Sequence, residues 1–179
     1  KAELFDAALG LSVALFRTET SNARTTGATG LPEYVGERKI QGVEVGFNGR
    51  ILPFWSVFGG YTYMDSEVVN AGAGNINNGK PFPNTPKHSF TSWTTIDIGD
   101  HFQIGGGAIY NSRQYGGFGA SNVVRSIPGY WRFDARASYR VTDNVSLSVN
   151  AQNLTNKVYF SQAYANHYAT IAPARTVFG

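Results

Sequence analysis

Tyr130-Trp131-Arg132-Phe133-Asp134-Ala135-Arg136-Ala137-Ser138-Tyr139-Arg140-Val141 is the stretch that decides the fold. Taking alternate residues, Trp131, Phe133, Ala135, Ala137, Tyr139 and Val141 share one face, and Arg132, Asp134, Arg136, Ser138 and Arg140 share the other. Successive side chains of a strand point to opposite faces, so this period predicts a strand over 129–141 with one apolar and one charged side. The split returns at once, with Val145, Leu147, Val149 and Ala151 against Ser146, Ser148, Asn150 and Gln152. It is also present at 4–17, where Phe5, Ala7, Leu9, Leu11, Val13 and Leu15 oppose Asp6, Ala8, Gly10, Ser12 and Ala14. Weaker alternation covers 37–50, 54–68, 88–98 and 101–115, and an eighth strand begins near Arg175. The reading is an all-β, antiparallel chain.

The links between these strands alternate in length. Long polar or Gly-rich segments fall near 18–33, 69–86, 116–127 and 160–173, and short ones at 49–53, 99–100 and 142–144. A transmembrane β-barrel of the bacterial outer membrane has this asymmetry, with short periplasmic turns and longer extracellular loops. The first strand then runs outward and the last runs back toward the periplasm.

Composition agrees. Charged residues make up 15% of the 179 residues, against roughly 25% in soluble domains. Apolar residues reach 42% and aromatics 14%, with 21 glycines. No apolar run approaches the ~18 residues of a transmembrane helix, which leaves strands as the means of crossing a membrane. The net charge of +3 is spread without a basic run, so nucleic-acid binding is not indicated. With Cys 0 there is neither a disulfide framework nor a thiolate site. The sequence opens Lys1-Ala2-Glu3 without an initiator Met or leader, which reads as a processed chain or a fragment.

A geometric test supports the membrane. Trp55 and Tyr63, Phe102 and Tyr110, and Trp131 and Tyr139 are each eight residues apart on one face. Eight residues at roughly 3.3 Å, tilted about 40°, cover about 20 Å of membrane normal, close to the spacing of two aromatic girdles. The opposite face carries Arg132, Asp134, Arg136 and Arg140. A closed eight-stranded barrel would need to pack these as a dense ion-pair network, whereas a wide, wet or plugged lumen holds them with less desolvation.

Four stretches, in order, resemble the C-terminal half of TonB-dependent outer-membrane receptors. Gly36-Glu37-Arg38-Lys39-Ile40-Gln41-Gly42-Val43-Glu44 resembles their G-x-x-K/R-x-x-G-x-E strand, and Tyr61-Thr62-Tyr63-Met64-Asp65 their YxYxD strand. Asn84-Thr85-Pro86-Lys87-His88 is similar to their N-x-P-x-H strand start, and the segment from Asn150 to Tyr159 to their N-x-x-N-L-x-[DN]-[KR]-x-Y signature. Ala163-Tyr164-Ala165-Asn166-His167-Tyr168-Ala169, followed by Pro173-Ala174-Arg175-Thr176-Val177, is similar to the last loop and strand of ferric-catecholate siderophore receptors. The resemblance implies roughly the last eight strands of a 22-stranded plugged barrel. It also implies an import receptor, not an enzyme, in the bacterial outer membrane, which takes up a ferric siderophore with energy from TonB. Three departures stand out: no plug, no N-terminal TonB box, and an end at Phe178-Gly179 without a terminal aromatic.

The chemistry expected of the residues is recognition. His88, His101 and His167 lack metal-ligand spacing, so no protein-built metal site and no cofactor is expected, and iron arrives already chelated. No nucleophile, base and orienter assemble. Gly105-Gly106-Gly107 lies in a strand, not before a helix, and reads as a place where another segment such as a plug approaches the wall. Arg with Tyr or Trp at a lumen mouth suits an anionic aromatic ligand. Parity and loop position select Arg113, Tyr115, Tyr130 and Arg132 at one rim, with Tyr164, His167 and Tyr168 in the last loop. Two other readings stay open at this point. The cargo of such a receptor is alternatively haem, cobalamin or another nutrient, or the chain is a self-contained eight-stranded structural or adhesion barrel. A soluble β-sandwich enzyme is disfavoured by the matched girdles and the missing catalytic cluster.

Overall fold

The computed structural model describes residues 2–4, 9–26, 32–118, 124–164 and 168–179. They contain thirteen strands and no helix: β1 (Ala2–Leu4), β2 (Leu9–Thr26), β3 (Pro32–Leu52), β4 (Trp55–Asn70), β5 (His88–Ile98), β6 (Phe102–Asn111), β7 (Gln114–Phe118), β8 (Val124–Ile127), β9 (Tyr130–Thr142), β10 (Val145–Gln152), β11 (Phe160–Ala163), β12 (Ala169–Ile171) and β13 (Thr176–Phe178). Nine of them form one antiparallel sheet in the order β1-β2-β3-β4-β5-β6-β9-β10-β13. Two separate hairpins, β7-β8 and β11-β12, stand in the connections between β6 and β9 and between β10 and β13.

Turn chemistry explains the short end. β3 passes to β4 through Pro53 and Phe54, and β5 to β6 through Gly99, which takes φ 61°, followed by Asp100 and His101. β9 reaches β10 through Asp143 and Asn144, whose N–H donates to Thr142 Oγ1 at 3.3 Å. Glycine and the small polar residues supply the positive φ and local hydrogen bonds that such turns require.

The register assigns the faces. Tyr110 lies directly opposite Trp131, Phe102 opposite Tyr139, and Tyr63 opposite His88. Leu15 pairs with Val43, Val13 with Val45 and Leu147 with Tyr139, all on this apolar face. Leu15 is 79% exposed and Leu147 64%. An apolar face of this extent left open is larger than a soluble monomer ordinarily presents and is the kind of surface a membrane-facing barrel wall carries. One aromatic tier joins Phe90, Tyr110, Trp131 and Phe133, with Tyr110 and Trp131 ring centroids 4.8 Å apart and Trp131 6.0 Å from both Phe90 and Phe133. Trp55, Phe102 and Tyr139 form the tier at the short-turn end, where Trp55 Nε1 donates to Thr94 Oγ1 at 2.7 Å. Arg132, Asp134, Arg136 and Arg140 occupy the opposite face together with Gln103, Ser146 and Asn150.

Several boundaries differ from the sequence reading. The strand expected over 4–17 runs as β2 to Thr26, and β3 begins at Pro32, so most of the long link expected at 18–33 is paired strand. Residues 5–8 lie outside the described residues. The strand expected over 101–115 ends at Asn111, because Gln114–Phe118 leaves the sheet to pair with β8. Gly105 and Gly107 do not make room for another segment; they make room for the wall's own Trp93. A Cβ at Gly107 would stand 2.4 Å from Trp93 Cε3, and one at Gly105 2.8 Å from Trp93 Cζ2. The indole lies flat across both, with Nε1 donating to Thr95 Oγ1 at 3.1 Å.

Candidate functional site

The long-loop end of the sheet carries the candidate site, and its frame is built by two asparagines. Asn153 follows β10 with φ 53° and is 2% exposed. Its N–H donates to Asp134 Oδ1 at 2.9 Å, Nδ2 donates to Lys157 O at 2.9 Å and to Pro173 O at 3.3 Å, and Oδ1 accepts from Lys157 N–H at 3.0 Å. Asn156, at φ 50°, accepts from Arg175 N–H through Oδ1 at 2.9 Å. These bonds fold the 153–159 turn back over the start of the last loop and deliver Tyr159 onto the polar face.

Tyr130 and Arg132 are held by this turn. Tyr159 packs on Tyr130 at 4.3 Å between centroids, and Asn111 Nδ2 donates to the Tyr130 hydroxyl at 3.0 Å. The Arg132 guanidinium donates to Asp134 Oδ2 from Nη2 at 2.7 Å and from Nε at 3.1 Å. Asp134 therefore links an arginine on one side to the Asn153 backbone on the other. A pair so engaged is the ion pair that a charged inner wall needs if the guanidinium is not to stand uncompensated.

Arg113 and Tyr115 are placed differently. With Asp65, Glu67, Thr85 and Lys87 they line a recess of about 300 Å³ between the top of β4, the 79–87 segment and the start of β7. Arg113 is exposed. Lys87 Nζ lies 3.4 Å from Asp65 Oδ1 and 5.7 Å from the centre of the Tyr63 ring. The hydrogen bond to Asp65 first, and the charge of Asp65 and the Tyr63 ring beside it, hold the Lys87 ammonium above its ordinary value, so it is a fixed cation at neutral pH.

Tyr164 and Tyr168 close the β11-β12 hairpin, stacked at 4.5 Å with Tyr164 N–H donating to Tyr168 O at 3.1 Å. His167 lies outside the described residues. The structure thus brings Arg113 and Tyr115 into one recess, joins Tyr130 and Arg132 in a wall network, and sets Tyr164 and Tyr168 on a hairpin whose β11 packs against β7 and β8. His88 faces the aromatic tier, its Nδ1 2.7 Å from the Tyr61 hydroxyl, while His101 stacks on Tyr139 at the short-turn end. Among the described residues no three His, Cys, Asp or Glu gather as a metal site. The sequence reading missed Asn84, Asn153, Asp65 and Lys87. The first two carry a legible signal, an asparagine at a strand boundary where a positive φ is needed, but their distant partners are invisible in the sequence.

Comparison with known proteins gives the same frame. Residues 1–154 match the family model described as TonB dependent receptor-like, beta-barrel. The chain is 40% identical to the probable TonB-dependent siderophore receptor PiuA of Acinetobacter baumannii, over 98% of this chain and 24% of that protein. It is 32% identical to the catecholate siderophore receptor Fiu of Escherichia coli K12, over 94% of this chain and 22% of that protein. The crystal structure of the siderophore receptor PiuA from A. baumannii superimposes with a TM-score of 0.84 at 38% identity, covering 98% of this chain and 26% of the other. The chain spans about a quarter of the length of these relatives. From its alternating wall to its asparagine-bound last turn, the chain belongs to the TonB-dependent receptor β-barrel family of the bacterial outer membrane.

Proposed function

We propose that this chain forms wall and rim of an outer-membrane receptor that binds a ferric siderophore of catecholate type and imports it with TonB-supplied energy. The observation that carries the reading is the placement of exposed Arg113 beside Tyr115 and the fixed cation Lys87 at the long-loop end of a sheet of this family. Ferric catecholates are anionic and aromatic, and guanidinium, ammonium and phenol groups meet both properties. Arg113, Tyr115, Tyr164 and Tyr168, with His167, are the proposed ligand contacts, while Tyr130 and Arg132 hold the wall beneath them. Iron enters as cargo already held by the siderophore oxygens. The wall itself is one sector of a larger closed barrel: β1 and β13 end the sheet, and backbone edges left unpaired in lipid are too costly to stand. Outer-membrane lipid covers the Leu15 and Leu147 face.

The test is uptake of radio-iron presented as its complex with 2,3-dihydroxybenzoate by cells carrying the full-length receptor. Replacing Arg113 and Tyr115 together with alanine is expected to cut uptake about tenfold at unchanged receptor level, the effect of about 1.4 kcal/mol of lost binding. Unchanged uptake overturns the site. Uptake of a ferric hydroxamate or haem with none of the catecholate reassigns the cargo.

A further inference from the structure

Asn84 stands where three segments of the long-loop end meet. Its backbone is left-handed, φ 52°, and its N–H donates to Tyr115 O at 2.7 Å. Its side chain addresses a single residue of the other hairpin twice: Nδ2 donates to Ala163 O at 3.0 Å, and Oδ1 accepts from Ala163 N–H at 2.8 Å. The carboxamide thus pairs with Ala163 as the peptide group of a neighbouring strand would. Two independent requirements fall on this position. A positive φ is readily adopted by glycine, asparagine and aspartate. A donor and an acceptor on one side chain belong to the carboxamides. Only asparagine meets both.

The junction is tight on its other side. A Cβ at Gly116 would lie 2.8 Å from Tyr164 O and 3.0 Å from the Ala163 carbonyl carbon, so β7 and β11 are already in close approach there. Ala163 is 4% exposed. Residues 84 and 163 are 79 positions apart in the chain, so this contact joins the loop before β5 to the last loop.

We infer that Asn84 is the positioning residue of the ligand rim: it locks the β7-β8 and β11-β12 hairpins into one unit, so that Tyr115 and Tyr164 are held at a fixed separation. This rests on the rim being the ligand site. Asn84 itself acts through the hairpins and touches no ligand.

The experiment compares hydrogen exchange of the full-length receptor with that of its Asn84→Gly and Asn84→Asp variants. Asn84→Gly keeps the left-handed backbone and the bond to Tyr115 while losing both bonds to Ala163; Asn84→Asp keeps the acceptor and sets a carboxylate against Ala163 O. Both variants are expected to raise exchange about tenfold in Gln114–Phe118 and Phe160–Ala163 together, the scale set by two lost hydrogen bonds in Asn84→Gly and by one lost bond plus carboxylate–carbonyl repulsion in Asn84→Asp, with β5 and β6 unchanged. Wild-type protection in Asn84→Gly, or loosening of one hairpin alone, overturns the lock. Binding of the ferric 2,3-dihydroxybenzoate complex to the same proteins is the second readout, with Kd expected to rise about tenfold in Asn84→Gly. Loosened hairpins with unchanged Kd overturn the positioning role. The rim reading itself falls only if the Arg113 and Tyr115 alanine variant also binds normally.

Discussion

Between Leu9 and Gln152 the sheet is one layer thick, and scarcely any of its side chains is fully covered; in the loops beyond, Gln114, Ile127, Tyr159, Ala163 and Ala172 are buried together with Asn153. The wall has no core of its own. Its apolar face lies open, and its specification lies in alternation, residue by residue along each strand. The hairpin region has a small core, and what shapes it is a set of asparagine side chains standing in for missing strands. One half of the molecule is therefore defined by a repeating pattern and the other by individual bonds.

That difference can be broken most forcefully at the wall. Val149 pairs with Ala137 on the apolar face, between the aromatic tiers, and the adjacent Ser148 pairs with Ser138 on the polar face. Arginine at 149 is expected to destabilise the barrel by about 3 kcal/mol, whereas arginine at 148 should cost less than ~1 kcal/mol. Urea titration of the full receptor in lipid vesicles measures both, and equal losses would abolish the assignment of faces.

In the hairpin region the largest effect is expected at Asn153. Alanine there removes the bonds to Lys157 and Pro173 that hold the turn closed around the buried Asn153 side chain. A loss of about 2 kcal/mol follows, read as early proteolysis in the 153–175 segment while the β9-β10 pairing still resists. Cleavage spread evenly through the wall would show that the two regions are not separable.

A smaller effect sharpens the wall's own packing. Gly107→Ala forces its Cβ against Trp93 and Ser92 O and should cost roughly 1 to 2 kcal/mol. In a Trp93→Ala background the penalty should shrink, since part of the clash is gone, and a double-mutant cycle in urea gives the difference. An undiminished penalty would remove Trp93 as its cause.

The smallest is electrostatic. Lys87 titrates above its ordinary 10.5 because Asp65 binds its charged form, so the contact stabilises fully below that pH and is lost as pH rises through the raised value. The thermal midpoint should therefore show a slight extra fall above about pH 10.5 that Lys87→Met lacks. Identical curves for wild type and Lys87→Met above that pH would mean that Asp65 does not hold the ammonium.

The same division explains what could be read from sequence. The faces of β4, β5, β6, β9 and β10, and the three aromatic pairs eight residues apart, follow from a period of two that each strand states for itself. The alternation of link lengths located the loop end. The β7-β8 and β11-β12 hairpins were not legible, because Gln114–Phe118 reads as a plain continuation of β6, and only the contact with β8 and β11 draws it away. Arg132 and Arg113 look alike in sequence. One is bound by Asp134 at 2.7 Å and the other opens on a recess, a distinction made by a turn anchored 19 residues from Asp134. Gly105 and Gly107 do not say in sequence what they make room for; that it is Trp93 of the neighbouring strand and not a separate segment depends on register.

The central claim, a wall crossing the outer membrane with its hairpin end outside the cell, is tested most directly by labelling. The chain has no cysteine, so in a full-length receptor stripped of cysteine elsewhere, single cysteines introduced at Ala73, in the long loop after β4, and at Asp143, in the tight β9-β10 turn, report alone. In intact cells a membrane-impermeant maleimide should modify Ala73→Cys, while Asp143→Cys should react only after the outer membrane is opened. Reaction of Asp143→Cys in intact cells, with Ala73→Cys protected, would contradict the orientation and with it the placement of the ligand rim.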